Sequence, residues 1–156
     1  MLESLITSTE PVLPTNKMNE LASLTYEEES FEIVFDAIES KLVEYAVLNS
    51  KKLKRTRNLL IVAAYLLKYG PGGFIDEFRS ISHKFTCFRQ FGGETSASDK
   101  EQAIESEIRS RAHYIVELLQ DKEKILKEKS LAMLVKQKMH LLQEGRKNDE
   151  NKSENY

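Results

Sequence analysis

Residues 59–78, LLIVAAYLLKYGPGGFIDEF, decide the fold of this chain. Apolar side chains occupy nearly every position from 59 to 67, which predicts a helix that is buried on most sides. The Gly-Pro-Gly-Gly segment at 70–73 ends that helix and leads into an amphipathic one. The apolar run is too short to cross a membrane, which takes about 20 residues. A buried central helix among amphipathic helices is typical of a helical solenoid.

The composition is that of one soluble globular domain, with 156 residues of which 40% are hydrophobic and 31% charged. The net charge of −2 excludes a globally basic polymer binder but leaves room for a local basic patch. Cys87 is the only cysteine, which excludes an intramolecular disulfide and a cysteine-based zinc site. The first residues carry no signal or transit peptide pattern, so we expect a cytoplasmic protein.

The apolar spacing predicts an all-α fold, a right-handed superhelix of about seven to eight helices. The clearest stripe runs through one helix, at Phe31, Val34, Phe35, Ile38, Leu42 and Tyr45. Thr25, followed three residues later by Glu28, fits a capping box at the start of that helix.

Three segments are predicted along the chain. Residues 1–14 form a lead-in, residues 15–143 the helical domain, and residues 144–156 a polar tail that we expect to be disordered. The last helix of the domain, 122–143, alternates lysines with Leu and Met. Its apolar face is expected to close the core while the lysines remain in water. The alternative is that this helix lies on an anionic membrane.

Phenylalanines recur at intervals of three at positions 85, 88 and 91. Such a pattern is more typical of core packing than of a groove for a partner helix. Cys87 lies among them, so we expect it to be buried and inert. The three histidines stand at unrelated spacings, which argues against a metal site.

Three sequence motifs, in order, resemble those of epsin N-terminal homology (ENTH) domains. Residues 18–26, MNELASLTY, resemble M-S-E-I-A-D-L-T-Y, and residues 64–70, AYLLKYG, resemble E-Y-L-(I/L)-K-(T/N)-G. Residues 108–112, IRSRA, with VELL at 116–119, resemble V-R-E-K-A…V-E-L-L. The resemblance implies a superhelix used at clathrin-coated membranes. It also implies binding to phosphoinositide headgroups, to cargo such as SNARE proteins, or to both.

The chain departs from the epsin pattern near its start. Residues 7–11, TSTEP, resemble the family's T-S-N-D-P, and only six residues precede them. We therefore expect no basic segment that inserts into lipid, and no long tail with clathrin or adaptor motifs. Where epsins supply an Arg and an Asn to the headgroup, this chain has Ser4 and Thr9. These differences predict weak lipid binding.

Residues 51–57, KKLKRTR, place five cations in seven residues at a predicted helix N-terminus. The helix dipole disfavours cations there by about 0.3–1 kcal/mol each, and a bound anion would offset that cost. The alternative is a solvated charged turn that binds no ligand. The resemblance aligns Lys41, Lys51 and Arg55 with headgroup-binding residues of the family, although the loop from Lys41 to Lys51 is longer here. Lys54 adds to the positive electrostatic field there. The predicted headgroup site is therefore Lys41, Lys51, Lys54 and Arg55.

No catalytic constellation is present in the sequence, and we expect neither enzyme activity nor a cofactor. The sequence with its resemblance predicts a monomeric epsin-like adaptor in clathrin-associated trafficking, peripherally bound at endosomal, Golgi or plasma membrane. Its partners would be a phosphoinositide-containing membrane and SNARE, adaptor or clathrin-coat proteins. Nucleic acid is not expected, because the basic run has no interleaved aromatic residues. The alternatives are a protein-only module of the same fold and a related VHS-like or polymerase-tail-binding superhelix that recognises a peptide.

Overall fold

The computed structural model describes residues 1–48, 52–93 and 97–154, and these segments are helical with no strand. The helices are α1 (Leu2–Ile6), α2 (Thr15–Leu24), α3 (Glu28–Leu48), α4 (Leu53–Tyr69), α5 (Gly73–Ser80), α6 (Ser82–Thr86), α7 (Asp99–Gln120) and α8 (Lys122–Glu154). A short 3-10 helix, Cys87–Gln90, follows α6. The predicted all-α superhelix is confirmed.

Helix α4 is the centre of the molecule, because it contacts α1, α2, α3, α5, α7 and α8. Its fully buried apolar side chains are Leu59, Leu60, Val62, Ala63, Leu66 and Leu67. Burying a side chain the size of leucine contributes about 1.5–3 kcal/mol, so this one helix supplies a large part of the stability. The nearly continuous apolar run in the sequence therefore reflects the central, buried position of α4, as predicted.

The end of α4 is set by a close approach that only glycine allows. A Cβ added to Gly70 would lie 2.6 Å from the carbonyl oxygen of Leu66. The Lys129 Nζ of α8 donates hydrogen bonds to the carbonyl oxygens of Leu67 and Gly70, which ties α8 to this end of α4. Burial there lowers the pKa of Lys129.

Aromatic rings link the middle helices. The Phe74 ring lies 4.4 Å from Phe31 and 5.3 Å from Phe78, measured between centroids. The phenylalanines at 85, 88 and 91 are all buried, which confirms that they belong to the core. Cys87 is exposed, so the prediction that it is buried is wrong. With about three residues per turn around the 3-10 helix, the phenylalanines share the inner side and Cys87 is left on the outer side.

The predicted capping box at Thr25 is also wrong. The Thr25 Oγ1 donates to the carbonyl oxygen of Ala22 at 2.6 Å, and its backbone N–H donates to Leu21. Thr25 therefore completes the last turn of α2, and α3 begins at Glu28 without it.

Residues before α2 pack on the core. Leu5, Ile6 and Leu13 are buried. The Asn58 side chain of α4 donates to the carbonyl oxygens of Ser8 (2.8 Å) and Glu10 (3.0 Å). These bonds fix the first segment against the central helix. The division into a lead-in at 1–14 and a domain at 15–143 stays a prediction.

Helix α8 differs most from expectation. Of its apolar side chains, Ile125 and Ala132 are buried, and those that follow Ala132 are exposed. The exposed set is Met133, Leu134, Val135, Met139, Leu141 and Leu142. The prediction that the whole apolar face closes the core is therefore wrong, because none of the described helices covers it beyond the first three turns. The helix continues to Glu154, and disorder of residues 144–156 stays a prediction.

Candidate anion-binding site

The predicted headgroup site lies where α3 ends and α4 begins, with α1 beside them. Lys41 and Tyr45 are one turn apart on α3, and Arg55 is in the first turn of α4. The hydroxyl of the buried Tyr45 donates to the carbonyl oxygen of Ile6 at 2.8 Å. This bond holds α1 against α3, so three helices define the floor of the site.

An ion pair organises the charges of the site. The Lys41 Nζ donates to the Glu44 Oε2 at 3.0 Å, and it lies 6.0 Å from the centroid of the Tyr45 ring. The hydrogen bond to Glu44 raises the pKa of Lys41, and the same bond lowers the pKa of Glu44. Both groups therefore stay ionised at neutral pH. The positive charge of Lys41 is thus already paired with Glu44, whereas no such ion pair is described for Arg55.

Two cations at the start of α4, the N-cap Lys52 and Arg55, also act on Glu44. The hydrogen bond from Lys41 is the main cause of the lowered pKa of Glu44, and the positive charges of Lys52 and Arg55 lower it further. Glu44 is therefore paired with Lys41 and also feels the charges of Lys52 and Arg55. Glu3 of α1 adds a second negative charge that acts on Lys41.

The start of α4 also offers backbone donors. Lys52 is its N-cap, and among the residues that the structure describes no side chain caps the free N–H groups of the first turn. The Thr56 hydroxyl donates to the Lys52 carbonyl oxygen at 2.7 Å instead, so it does not satisfy these donors. The first turn holds no acidic residue. An anion at this helix end would accept N–H bonds and meet the positive end of the dipole.

The structure places the four predicted site residues in different surroundings. Lys41 pairs with Glu44, and the charge of Arg55 also lowers the pKa of Glu44. Lys54 is exposed one position away from Arg55. Lys51 lies outside the residues that the structure describes. Sequence reasoning missed Lys52, which belongs to the same cationic run.

Sequence reasoning also missed Glu44. This residue stands three positions after Lys41, a spacing at which opposite charges on a helix meet. Arg57, the last cation of the run, is buried and has a different role. Its guanidinium donates to the Glu10 carbonyl oxygen at 3.1 Å and to the Asn58 side chain at 3.2 Å. Arg57 therefore braces the first segment of the chain and does not line the site.

An all-α superhelix with a basic site between its third and fourth helices is the class of protein that these observations define. The family model of the ENTH domain matches residues 4–125. The chain therefore belongs to the ENTH domain family. Comparison with the sequences of curated proteins gives no significant match.

Solved ENTH domains share the fold. The ENTH domain of epsin-2, in complex with phosphatidylinositol 4,5-bisphosphate, is 23% identical, with a TM-score of 0.69 over 84% of this chain and 88% of that one. The human epsinR ENTH domain is 22% identical, with a TM-score of 0.70 over 85% and 96%. The ENTH domain of ENT2 from Candida albicans is 25% identical, with a TM-score of 0.68 over 85% and 94%.

Across the described part of the chain, no helix is both long and apolar enough to cross a membrane.

Proposed function

We propose that this chain is a non-enzymatic adaptor domain of vesicle trafficking that binds phosphoinositide headgroups through Lys41, Lys51, Lys54 and Arg55, with Lys52 as a fifth contact. The observation that carries the proposal is the cationic start of α4, where the N-cap Lys52 makes no side-chain capping bond and the first turn holds no acidic residue. Lys41 of the contacting helix α3 adds a charge that Glu44 holds at 3.0 Å. The complex of the epsin-2 ENTH domain with phosphatidylinositol 4,5-bisphosphate supports the ligand class.

The chemistry of the site suits a phosphate group. Arg55 offers a planar fork of N–H donors, whereas Lys41 and Lys52 offer compact charges that can approach from either side. Backbone N–H groups of the first turn of α4 supply further donors. A phosphate that recruits Lys41 must compete with Glu44, which holds that ammonium at 3.0 Å. The competition makes binding weak and sensitive to salt.

The same competition favours one alternative. If Glu44 and Glu3 keep the cations neutralised, the domain is a protein-only interaction module of the ENTH fold. In either case the proposed setting is the cytoplasmic face of endosomal, Golgi or plasma membrane, with a monomer that meets SNARE, adaptor or clathrin-coat proteins. No cofactor is required.

Sedimentation with a panel of liposomes separates the two functions. Vesicles of phosphatidylcholine alone are compared with vesicles that contain phosphatidylserine or one phosphoinositide, at low and physiological salt. We expect the protein to sediment with at least one phosphoinositide-containing membrane, more strongly at low salt. No sedimentation with any of them would contradict headgroup binding and leave the protein-only module.

A further inference from the structure

A second polar cleft lies between the 3-10 helix and α7, and it shares no residue with the site around Glu44. Its volume is about 740 Å³. One wall carries Cys87, Arg89 and Gln90, and the other carries Arg109 and Ser110 of α7. We infer that this cleft binds a phosphate monoester on a serine or threonine side chain of a partner protein.

Arg109 is fixed in position for such a role. Its Nη1 donates to the carbonyl oxygen of Phe91 at 2.7 Å, and the side chain is half-buried. This bond connects α7 to the end of the 3-10 helix and spends only one of the five guanidinium N–H donors. Arg89 lies on the facing wall and is exposed. Two arginines on different elements can therefore hold one phosphate from both sides, as charge-assisted pairs.

The nearby carboxylates are turned to other partners. None lines the cleft among the residues that the structure describes. Glu105, one turn before Arg109, is buried, and its Oε2 accepts from the Gly93 backbone N–H at 3.3 Å. Glu117 accepts from His113 at the far end of the cleft, at 3.1 Å. Among the described residues, no carboxylate is paired with either arginine, which leaves their positive charge to a ligand.

The charge of the cleft fits one phosphate group. A phosphorylated serine or threonine carries about −1.5 to −2 at neutral pH, which two arginines match. A ring with several phosphates would need more cations than the cleft supplies. The Ser110 hydroxyl and the Gln90 amide are additional donors along the walls. The open shape leaves room for the chain on which the phosphate is carried.

Cys87 makes the inference testable, because it is the only cysteine of the chain and it is exposed in the cleft. Its rate of alkylation by iodoacetamide, read by mass spectrometry of the intact protein, reports ligand occupancy. The probe is a pentapeptide of alanines with a central phosphoserine, and the same peptide without phosphate is the reference. We expect only the phosphopeptide to slow alkylation, and to do so in proportion to occupancy.

Matched variants identify the residues. Arg89→Glu should weaken phosphopeptide protection by about tenfold or more, since it removes a charge-assisted hydrogen bond and adds repulsion. Lys100→Glu, the same change at an exposed position early in α7, should leave it as in the wild type. Circular dichroism of both variants confirms an unchanged fold.

Four results would overturn the inference: no protection by the phosphopeptide, equal protection of the Arg89→Glu variant, or protection at lower concentration by inorganic phosphate or by a soluble inositol phosphate. The last two would identify a free anion or a lipid headgroup as the ligand. The test is independent of the headgroup site, because loss of liposome binding through Lys41 and Arg55 would leave Cys87 protection intact.

Discussion

Glu44 is the single residue that limits the proposed headgroup site. Its carboxylate partners Lys41 directly and lies in the field of Lys52 and Arg55. Glu44→Gln keeps a side chain of the same shape but removes the negative charge. We expect tighter binding to phosphoinositide-containing liposomes, by a severalfold change that shrinks at high salt.

The control for this prediction is Glu39→Gln on the same helix. Glu39 pairs with Lys84 of α6 at 3.5 Å, away from the site. The Glu39→Gln substitution removes the same charge and should leave liposome sedimentation unchanged. If Glu44→Gln binds no more tightly than the wild type, Lys41 does not reach the phosphate.

For single residues, the sequence predicts which charged groups are present better than it predicts the partner that each one contacts. The run at 51–57 identifies a cationic helix start, and the resemblance adds Lys41 from another helix. Nothing in the run tells which cation turns inward. Arg57 is recruited by backbone carbonyls of the first segment, a contact that depends on the tertiary fold. Cys87 shows the same limit, since its exposure follows from the 3-10 geometry.

Among the helices, α4 and α8 show when an apolar pattern is decisive. In α4 nearly every position from 59 to 67 is apolar, so most of the helix surface is buried and only Ile61, Ala64 and Tyr65 in this run stay partly exposed. In α8 the apolar residues alternate with lysines, and the pattern gives only an amphipathic helix. Whether that face is covered depends on the length of its neighbours, which periodicity does not encode. The cover ends near Ala132.

The contrast along α8 gives a stability prediction. Ile125→Ala removes a side chain that is 1% exposed and packed in the core, and it should cost about 2–4 kcal/mol. Leu141→Ala removes one that is 65% exposed and should change stability by less than about 0.5 kcal/mol. Urea unfolding of the two variants checks both values. Equal losses would mean that the end of α8 packs on the domain in solution.

For the whole molecule, the superhelix and the family were accessible from sequence because three motifs occur in the correct order on an all-helical chain. The family match over residues 4–125 covers the core and the start of α8. Function is less determined by the fold, since one fold can carry different functions. The distribution of charge around Glu44 must decide between them.

Removing the cations proposed to bind the headgroup tests directly whether the site beside Glu44 contacts the membrane. Lys41→Gln combined with Arg55→Gln removes two cations of this site. Lys127→Gln combined with Lys136→Gln removes two exposed cations of α8 and serves as the control. Both double variants should retain the helicity and a melting temperature close to that of the wild type.

Sedimentation with phosphoinositide-containing liposomes is then compared for the three proteins. We expect the Lys41/Arg55 variant to stay in the supernatant and the Lys127/Lys136 variant to sediment as the wild type does. The opposite result, in which the α8 variant loses binding and the Lys41/Arg55 variant keeps it, would contradict the account and make α8 the surface that meets the membrane.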